Sequence, residues 1–469
     1  MTAKNKEEIR VRAYNFIEFL NAATTPYHAV QLIAELLEKN GFHEVLEHEP
    51  FQIKPGDKNH TTIIAFAVGG AYKPGNGFSI VGTHTDSCCL RVKPISKRES
   101  CGLFQIGVSP YGGGQWHTWF DRDLSVAGSV IFKRNDKIVR KLIDLRRPIL
   151  SIPSLAIHLD ENPGKFEVNK EKHLLPILAT APSECLNHPE INTDDENNCE
   201  QISKEHHEEF LSAVAEKAGI SVSEMIDLDL YLYDTNKARI TGINKEFISG
   251  ARLDNLSGTY SAITGLLESL QNDESFSSDP SVRLVGCYDN EEVGNRSAQG
   301  AASAFTEWLL RRLAASYDDK THSTFERAIG KSLLISADQG HAVHPNYSQC
   351  HEDNHKPSLD GGVLVKVDVN QRWATSSFSH SVLKVIADEA NIPLQKIVFR
   401  NDCGRGFTIG STMSANLGMQ TIDVGTSQLG MHSIREFAGI ASIWHASRLY
   451  AAFFERFPYV LERILESSQ

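Results

Sequence analysis

Residues 282–294 read Val282-Arg283-Leu284-Val285-Gly286-Cys287-Tyr288-Asp289-Asn290-Glu291-Glu292-Val293-Gly294. Apart from Arg283, the first seven are apolar or aromatic over the length of one strand, which predicts a buried strand. The residues that follow put Asp289, Glu291 and Glu292 on the loop at its carboxyl end. The same arrangement recurs along the chain. Val81-Gly82-Thr83-His84-Thr85-Asp86 sets His84 just past an apolar run, and Ile335-Ser336-Ala337-Asp338 ends another on Asp338. Ser249-Gly250-Ala251-Arg252-Leu253-Asp254-Asn255 contributes Asp254, and Gly430-Met431-His432-Ser433 supplies a second histidine after a glycine-rich run.

Around these stretches the chain alternates between strand and helix. Strands are predicted at 282–288, 333–337, 362–367 and 419–424, with helices at 256–271, 302–315 and 378–390. That rhythm predicts an α/β fold with a mostly parallel sheet and helices on both faces. In open α/β sheets ligands bind outside the carboxyl ends of the strands, where the five segments would converge. Residues 8–40 carry helical spacing of apolar positions, interrupted at 24–26 because proline ends the periodicity. Strands follow at 61–68 and 78–82.

Between about 95 and 240 the texture changes to short apolar runs and glycine-rich turns. This predicts an inserted β-rich domain over 93–241, with a split catalytic domain over 1–92 and 242–469. Within the insertion, residues 187–209 are strongly polar and read as a surface loop, with His206 and His207 solvated.

Composition narrows the function further. The 469 residues carry a net charge of −12, which argues against nucleic acid or an anionic membrane as the main partner. No apolar run approaches the ~20 residues of a spanning helix. The first residues, with Lys4, Lys6, Glu7 and Glu8, lack an apolar core, so no secretory signal is expected. Eight scattered cysteines form no disulfide framework, which predicts a reducing, cytoplasmic location.

Two histidines and several carboxylates suit zinc or manganese, and a carboxylate can bridge two cations. Taken singly, each group has an ordinary reading: a structural histidine, an aspartate capping a helix, a solvated pair of glutamates. The coincidence of five segments favours the joint one. Gly330-Lys331-Ser332 lacks the first glycine of a phosphate loop, and Gly425-Thr426-Ser427-Gln428-Leu429 fails the serine-hydrolase elbow at its last position.

Together, Gly82–Asp86, Gly250–Asn255, Asp289–Gly294, Ser336–Asp338 and Met431-His432-Ser433-Ile434-Arg435-Glu436 resemble the aspartyl aminopeptidase family. Gln115-Trp116-His117-Thr118-Trp119-Phe120-Asp121 and Ala156-Ile157-His158-Leu159 extend the resemblance into the insertion. It implies a dinuclear metallo-aminopeptidase that releases N-terminal Asp or Glu from peptides. Two divalent ions are implied, zinc first with manganese or cobalt as alternatives. His84 and Asp338 would bind one, Glu292 and His432 the other, with Asp254 bridging and the peptide after it cis. Glu291 would be the general base, and Asp86 would orient His84. Lys366 and His341 would face the substrate together with Asp338. His158 would reach a neighbouring subunit's site, in a tetrahedral homododecamer paired through the insertion.

Two positions depart from the family. Gln339-Gly340-His341 stands where Met-Ala-His is expected, and Trp373 replaces a tyrosine, removing a hydroxyl at a substrate-facing position. Two alternatives carry different expectations. One is a related aminopeptidase preferring neutral residues, disfavoured by the lack of a propeptide-like extension before residue 8. The other is a shell-forming assembly protein without chemistry, disfavoured by intact His84, Asp254, Glu291, Glu292, Asp338 and His432.

Overall fold

The computed structural model describes residues 3–45, 62–162, 164–181, 199–315, 323–404 and 406–467. They form two units: Met1–Ser87 with Ala238–Met431 and Glu436–Gln469, and Cys88–Lys237 with His432–Arg435.

The first unit is built on a seven-stranded sheet. In spatial order its strands are Ile63–Val68, Val282–Tyr288, Phe78–His84, Leu333–Ala337, Gln420–Gly425, Val363–Lys366 and Leu394–Ile397. The four strands from Val282–Tyr288 to Gln420–Gly425 run parallel, so their carboxyl ends share one edge. Ile63–Val68 pairs antiparallel at one side; Val363–Lys366 does so at the other and is itself parallel to Leu394–Ile397.

Alternate residues of each central strand enter different cores. Val81, Val285 and Ile335 pack with Ile33, Ile263, Ile386 and Phe453, whereas Ile80, Leu284 and Leu334 pack with Leu310, Ile409 and Met413. Helices therefore cover both faces, and strands buried on both faces read as unbroken apolar runs. The helix over Pro26–Lys39 starts where proline sits at its first turn and the Thr25 hydroxyl accepts from the His28 N–H. Among the polar residues that enter this interior, Arg283 is the largest. Arg283, fully buried, donates from Nε to Asp279 at 2.6 Å and from Nη1 to the Ser269 carbonyl at 2.6 Å.

A second sheet of the same unit joins Gly340–His341, Ser427–Leu429, Glu436–Gly439, Phe247–Gly250 and Arg239–Thr241. It continues the edge of the first: Asp338 N–H donates to the Val424 carbonyl, Gly340 N–H to Thr426 and Ala342 N–H to Gln428, each at 2.9 Å. Gly425 is required there, since a Cβ would lie 1.7 Å from the Asp338 carbonyl oxygen.

The second unit is an antiparallel six-stranded sheet in the order Lys137–Asp144, Leu124–Arg134, Met225–Asp234, Cys89–Ser100, Leu103–Tyr111 and Ile177–Thr180. Its core joins Val126, Val130 and Leu230 to Phe210, Leu211 and Val214 of the helix Glu208–Ala218. The polar stretch at 187–209 lies partly outside the described residues, and the rest is not a loop. Cys199–Glu205 is helical, and His206 and His207 are buried rather than solvated. His206 Nδ1 lies 2.8 Å from the Ser96 hydroxyl. His207 donates to the Arg98 carbonyl at 2.8 Å and stacks on Phe104 at 4.3 Å. Partners on the Cys89–Ser100 and Leu103–Tyr111 strands, about a hundred residues away in sequence, correct the reading. No helix among the described residues is long and apolar enough to cross a membrane.

Candidate active site

His84 is the last residue of the central strand Phe78–His84 and is 1 % exposed. Its Nε2 faces two carboxylates, Asp338 Oδ1 at 3.4 Å and Asp254 Oδ1 at 3.5 Å. Its Nδ1 lies 3.1 Å from the Asp86 carbonyl and 3.3 Å from Asp86 Oδ1. An N–H on Nδ1 leaves Nε2 with its lone pair toward Asp254 and Asp338, the tautomer a metal ligand needs. Burial opposes a charge on this imidazole, but contacts with Asp254, Asp338 and Asp86 outweigh it and hold the histidine well above its ordinary range.

Asp86 has a second role. Its two carboxylate oxygens accept the backbone N–H groups of Glu291 and Glu292 at 3.2 and 3.1 Å. The one-turn helix Glu291–Val293 follows Asn290, whose φ of 63° turns the chain sharply off the strand Val282–Tyr288. Asp86 thus ties the glutamate loop to the segment carrying His84. Desolvation raises the Glu291 carboxyl well above the usual carboxylate range; nearby His84 works against this, and Asp338, Glu292 and Asp86 reinforce it.

Asp254 opens the helix Leu253–Ser269 in a non-helical conformation, and the Asp254–Asn255 peptide is cis. Its N–H donates to Glu436 Oε2 at 2.9 Å, and its carbonyl accepts from the Ser87 hydroxyl at 2.6 Å. Glu436, 2 % exposed, also accepts from Gln428 Nε2. Nothing in the local sequence marks Glu436 as a partner of Asp254, because their contact depends on Phe247–Gly250 pairing with Glu436–Gly439.

Asp338 follows the strand Leu333–Ala337. Its Oδ2 accepts from the Lys366 ammonium at 2.9 Å. Burial would raise this carboxyl, yet Lys366 and His84 hold it below the usual range. Lys366 is 3 % exposed and lies 5.8 Å from the centre of the Trp373 ring. Trp373 is buried against Phe399 at 4.9 Å, and Phe399 also lies 5.7 Å from His341. Burial, with Lys366 next, lowers His341 to about 4.

Two candidate residues belong to the second unit. His432 has a φ of 64°, with Nδ1 3.2 Å from the Gly113 carbonyl, and its own carbonyl accepts from Gln115 N–H. His158 is exposed in the one-turn helix Ile157–Leu159.

The donor set in the first unit fits a divalent cation. His84, Asp254 and Asp338 offer an imidazole nitrogen and two carboxylate oxygens, all within 4.8 Å of one another. Carboxylates brought that close repel each other unless a cation lies between them, and this mixture suits zinc or manganese.

Comparison with known proteins gives the same direction. The chain is 54 % identical over 466 residues to an aspartyl aminopeptidase of Caenorhabditis elegans, covering 97 % of this chain and 98 % of that one. It superposes with a TM-score of 0.91 on a chain from the cryo-EM structure of the Ape4–Nbr1 complex, at 40 % identity, covering 97 % and 88 %. For the mApe1 dodecamer of Saccharomyces cerevisiae the TM-score is 0.82 at 28 % identity, covering 96 % and 98 %. The family model of the aminopeptidase I zinc metalloproteases matches residues 19–454, and the chain belongs to that M18 family of metallo-aminopeptidases.

Proposed function

We propose that the chain releases N-terminal Asp or Glu from peptides, using two divalent ions. The observation that carries this reading is His84 Nε2 facing both Asp254 and Asp338, with its other nitrogen on Asp86. The relatives named aspartyl aminopeptidases support the acidic preference. The ions, when bound, would supply Lewis-acid activation of the scissile carbonyl and of water.

His84 and Asp338 are assigned to one ion and Asp254 to the bridge; the assignment of Glu292 and His432 to the other rests on their motifs. Asp86 holds the imidazole orientation and the start of the glutamate turn together. A Glu291 carboxylate oxygen takes one proton from water as the carbon–oxygen bond forms, then delivers it to the departing amine nitrogen as the carbon–nitrogen bond breaks. Lys366 and His341, with Trp373 closing the apolar side, form the wall that would meet the acidic side chain. The inserted unit is proposed as the dimerisation domain, carrying His158 toward a neighbouring subunit. The assembly is proposed as a cytoplasmic tetrahedral dodecamer, supported by the dodecameric mApe1 relative.

The test compares kcat/KM on Asp-, Glu-, Ala- and Leu-capped peptides for wild type and Glu291→Gln, with zinc or manganese added. Acidic preference that collapses in the variant supports the reading. Turnover mainly of Ala or Leu caps would overturn the substrate assignment and leave the chemistry.

A further inference from the structure

Gln339 follows Asp338 directly and is 2 % exposed. Its amide nitrogen donates to Asn255 Oδ1 at 2.9 Å. Its amide oxygen accepts from the Thr426 backbone N–H at 3.3 Å and from the Thr426 hydroxyl. Asn255 extends the chain of bonds, with Nδ2 donating to the Ala337 carbonyl at 2.7 Å. The direction of the whole chain is fixed by its ends. A backbone N–H can only donate and a backbone carbonyl can only accept, so each amide has one orientation that satisfies both neighbours. Gly258 leaves the space this needs: a Cβ there would lie 2.3 Å from Asn255 Oδ1.

The network touches the site at two covalent points. Asn255 is the next residue after Asp254, and Gln339 the next after Asp338. With Glu436 on the Asp254 N–H, both sides of Asp254 along the backbone are held by buried partners. Hydrogen-bonded partners one step behind a metal ligand set its orientation, and losing one typically costs roughly 10- to 100-fold in metal affinity or activity. The methionine expected at 339 from the family resemblance could make none of these bonds. It would leave the Asn255 oxygen and the Thr426 N–H and hydroxyl to find other partners inside the protein.

We propose that Gln339 is a positioning residue: through Asn255 and Thr426 it holds the Asp254 and Asp338 carboxylates where they share one cation with His84. The proposal rests on the metal reading above and adds to it a determinant outside the ligand set.

The experiment uses full-length Gln339→Met, Gln339→Glu, Thr426→Val and the Gln339→Met/Thr426→Val double variant. Zinc dissociation constants are measured by competition with a chromogenic chelator, with the visible spectrum of the cobalt-loaded protein, kcat and KM beside them. Gln339→Met is expected to weaken zinc roughly 10- to 100-fold, shift the cobalt bands, and lower kcat with KM largely kept. Gln339→Glu, which sets a carboxylate oxygen against Asn255 Oδ1, is expected to lose more. The double variant should be little worse than Gln339→Met, because both substitutions cut one network. Should Gln339→Met fail to fold, Thr426→Val, which removes one hydroxyl, still carries the test. Wild-type zinc affinity and cobalt spectrum in the folded variants would overturn the proposal alone. A wild type that takes up no zinc would overturn the metal reading and this proposal with it.

Discussion

Lys366 holds its ammonium 2.9 Å from one oxygen of Asp338, while the other oxygen of that carboxylate lies 3.4 Å from Nε2 of His84. One buried carboxylate therefore meets the lysine ammonium through one oxygen and the imidazole through the other. Removing one partner of a buried pair leaves an uncompensated charge and costs about 3–5 kcal/mol. Lys366→Met should destabilise the metal-free protein by about that much. Saturating zinc should narrow the gap to wild type, since a cation beside Asp338 supplies part of the missing charge. Calorimetry with and without zinc checks this; equal gaps in both conditions would count against the pairing.

Glu291→Gln keeps the side-chain shape and removes the proton acceptor. The expected loss in kcat is roughly 10²- to 10⁴-fold. Zinc content should stay at the wild-type level, because His84, Asp254 and Asp338 are untouched. Metal analysis alongside kinetics decides the matter, and a variant that loses zinc in proportion to activity would make Glu291 a ligand instead.

Arg283 has its charge answered by Asp279 alone among its named partners, with backbone carbonyls taking further N–H groups. Asp279→Ala should cost about 3–5 kcal/mol, and Asp279→Ala with Arg283→Met should recover part of it. Denaturant midpoints of the two variants give the comparison. A double variant no more stable than the single would contradict the charge argument.

His445 sits buried in the helix Ile440–Ser467, and burial lowers its pKa to about 4. In the unfolded chain it titrates near 6.5. A depressed histidine contributes stability that is fully present above ~6.5 and is lost as pH falls through about 4, by at most ~3 kcal/mol. His445→Gln should flatten the stability profile between pH 6.5 and 4. An unchanged slope in denaturant titrations across that window would remove His445 from the acid response.

The parts legible in the sequence are those with local signatures. Val282–Tyr288 and Leu333–Ala337 stand out because burial on both faces makes them apolar apart from Arg283 and Ser336. The cis peptide at Asp254–Asn255, implied by family resemblance, is present. The two-residue strand Gly340–His341 and three-residue Ser427–Leu429 are too short to show any period. Lys366 reads as an ordinary strand-end lysine until antiparallel pairing with Gln420–Gly425 sets its strand beside the edge that carries Asp338. His206 and His207 mislead because their neighbours in sequence are polar, whereas their neighbours in space are Ser96, Arg98 and Phe104.

The central strand Phe78–His84 has both of its pairing partners, Val282–Tyr288 and Leu333–Ala337, far downstream. During synthesis at roughly 5–20 residues per second, residue 84 precedes residue 282 by on the order of 10–40 s. Throughout that interval a strand that ends up buried along its whole length has two open edges, the condition under which chains aggregate or recruit chaperones. Meanwhile the sheet formed within Cys88–Lys237 has all six strands in hand. Nascent chains arrested near residue 270 should therefore yield a protease-resistant core from the insertion while residues before 88 are still cleaved. The order of birth is inverted relative to the order of the sequence: the middle matures first, and the two flanks close around their metal-binding edge last.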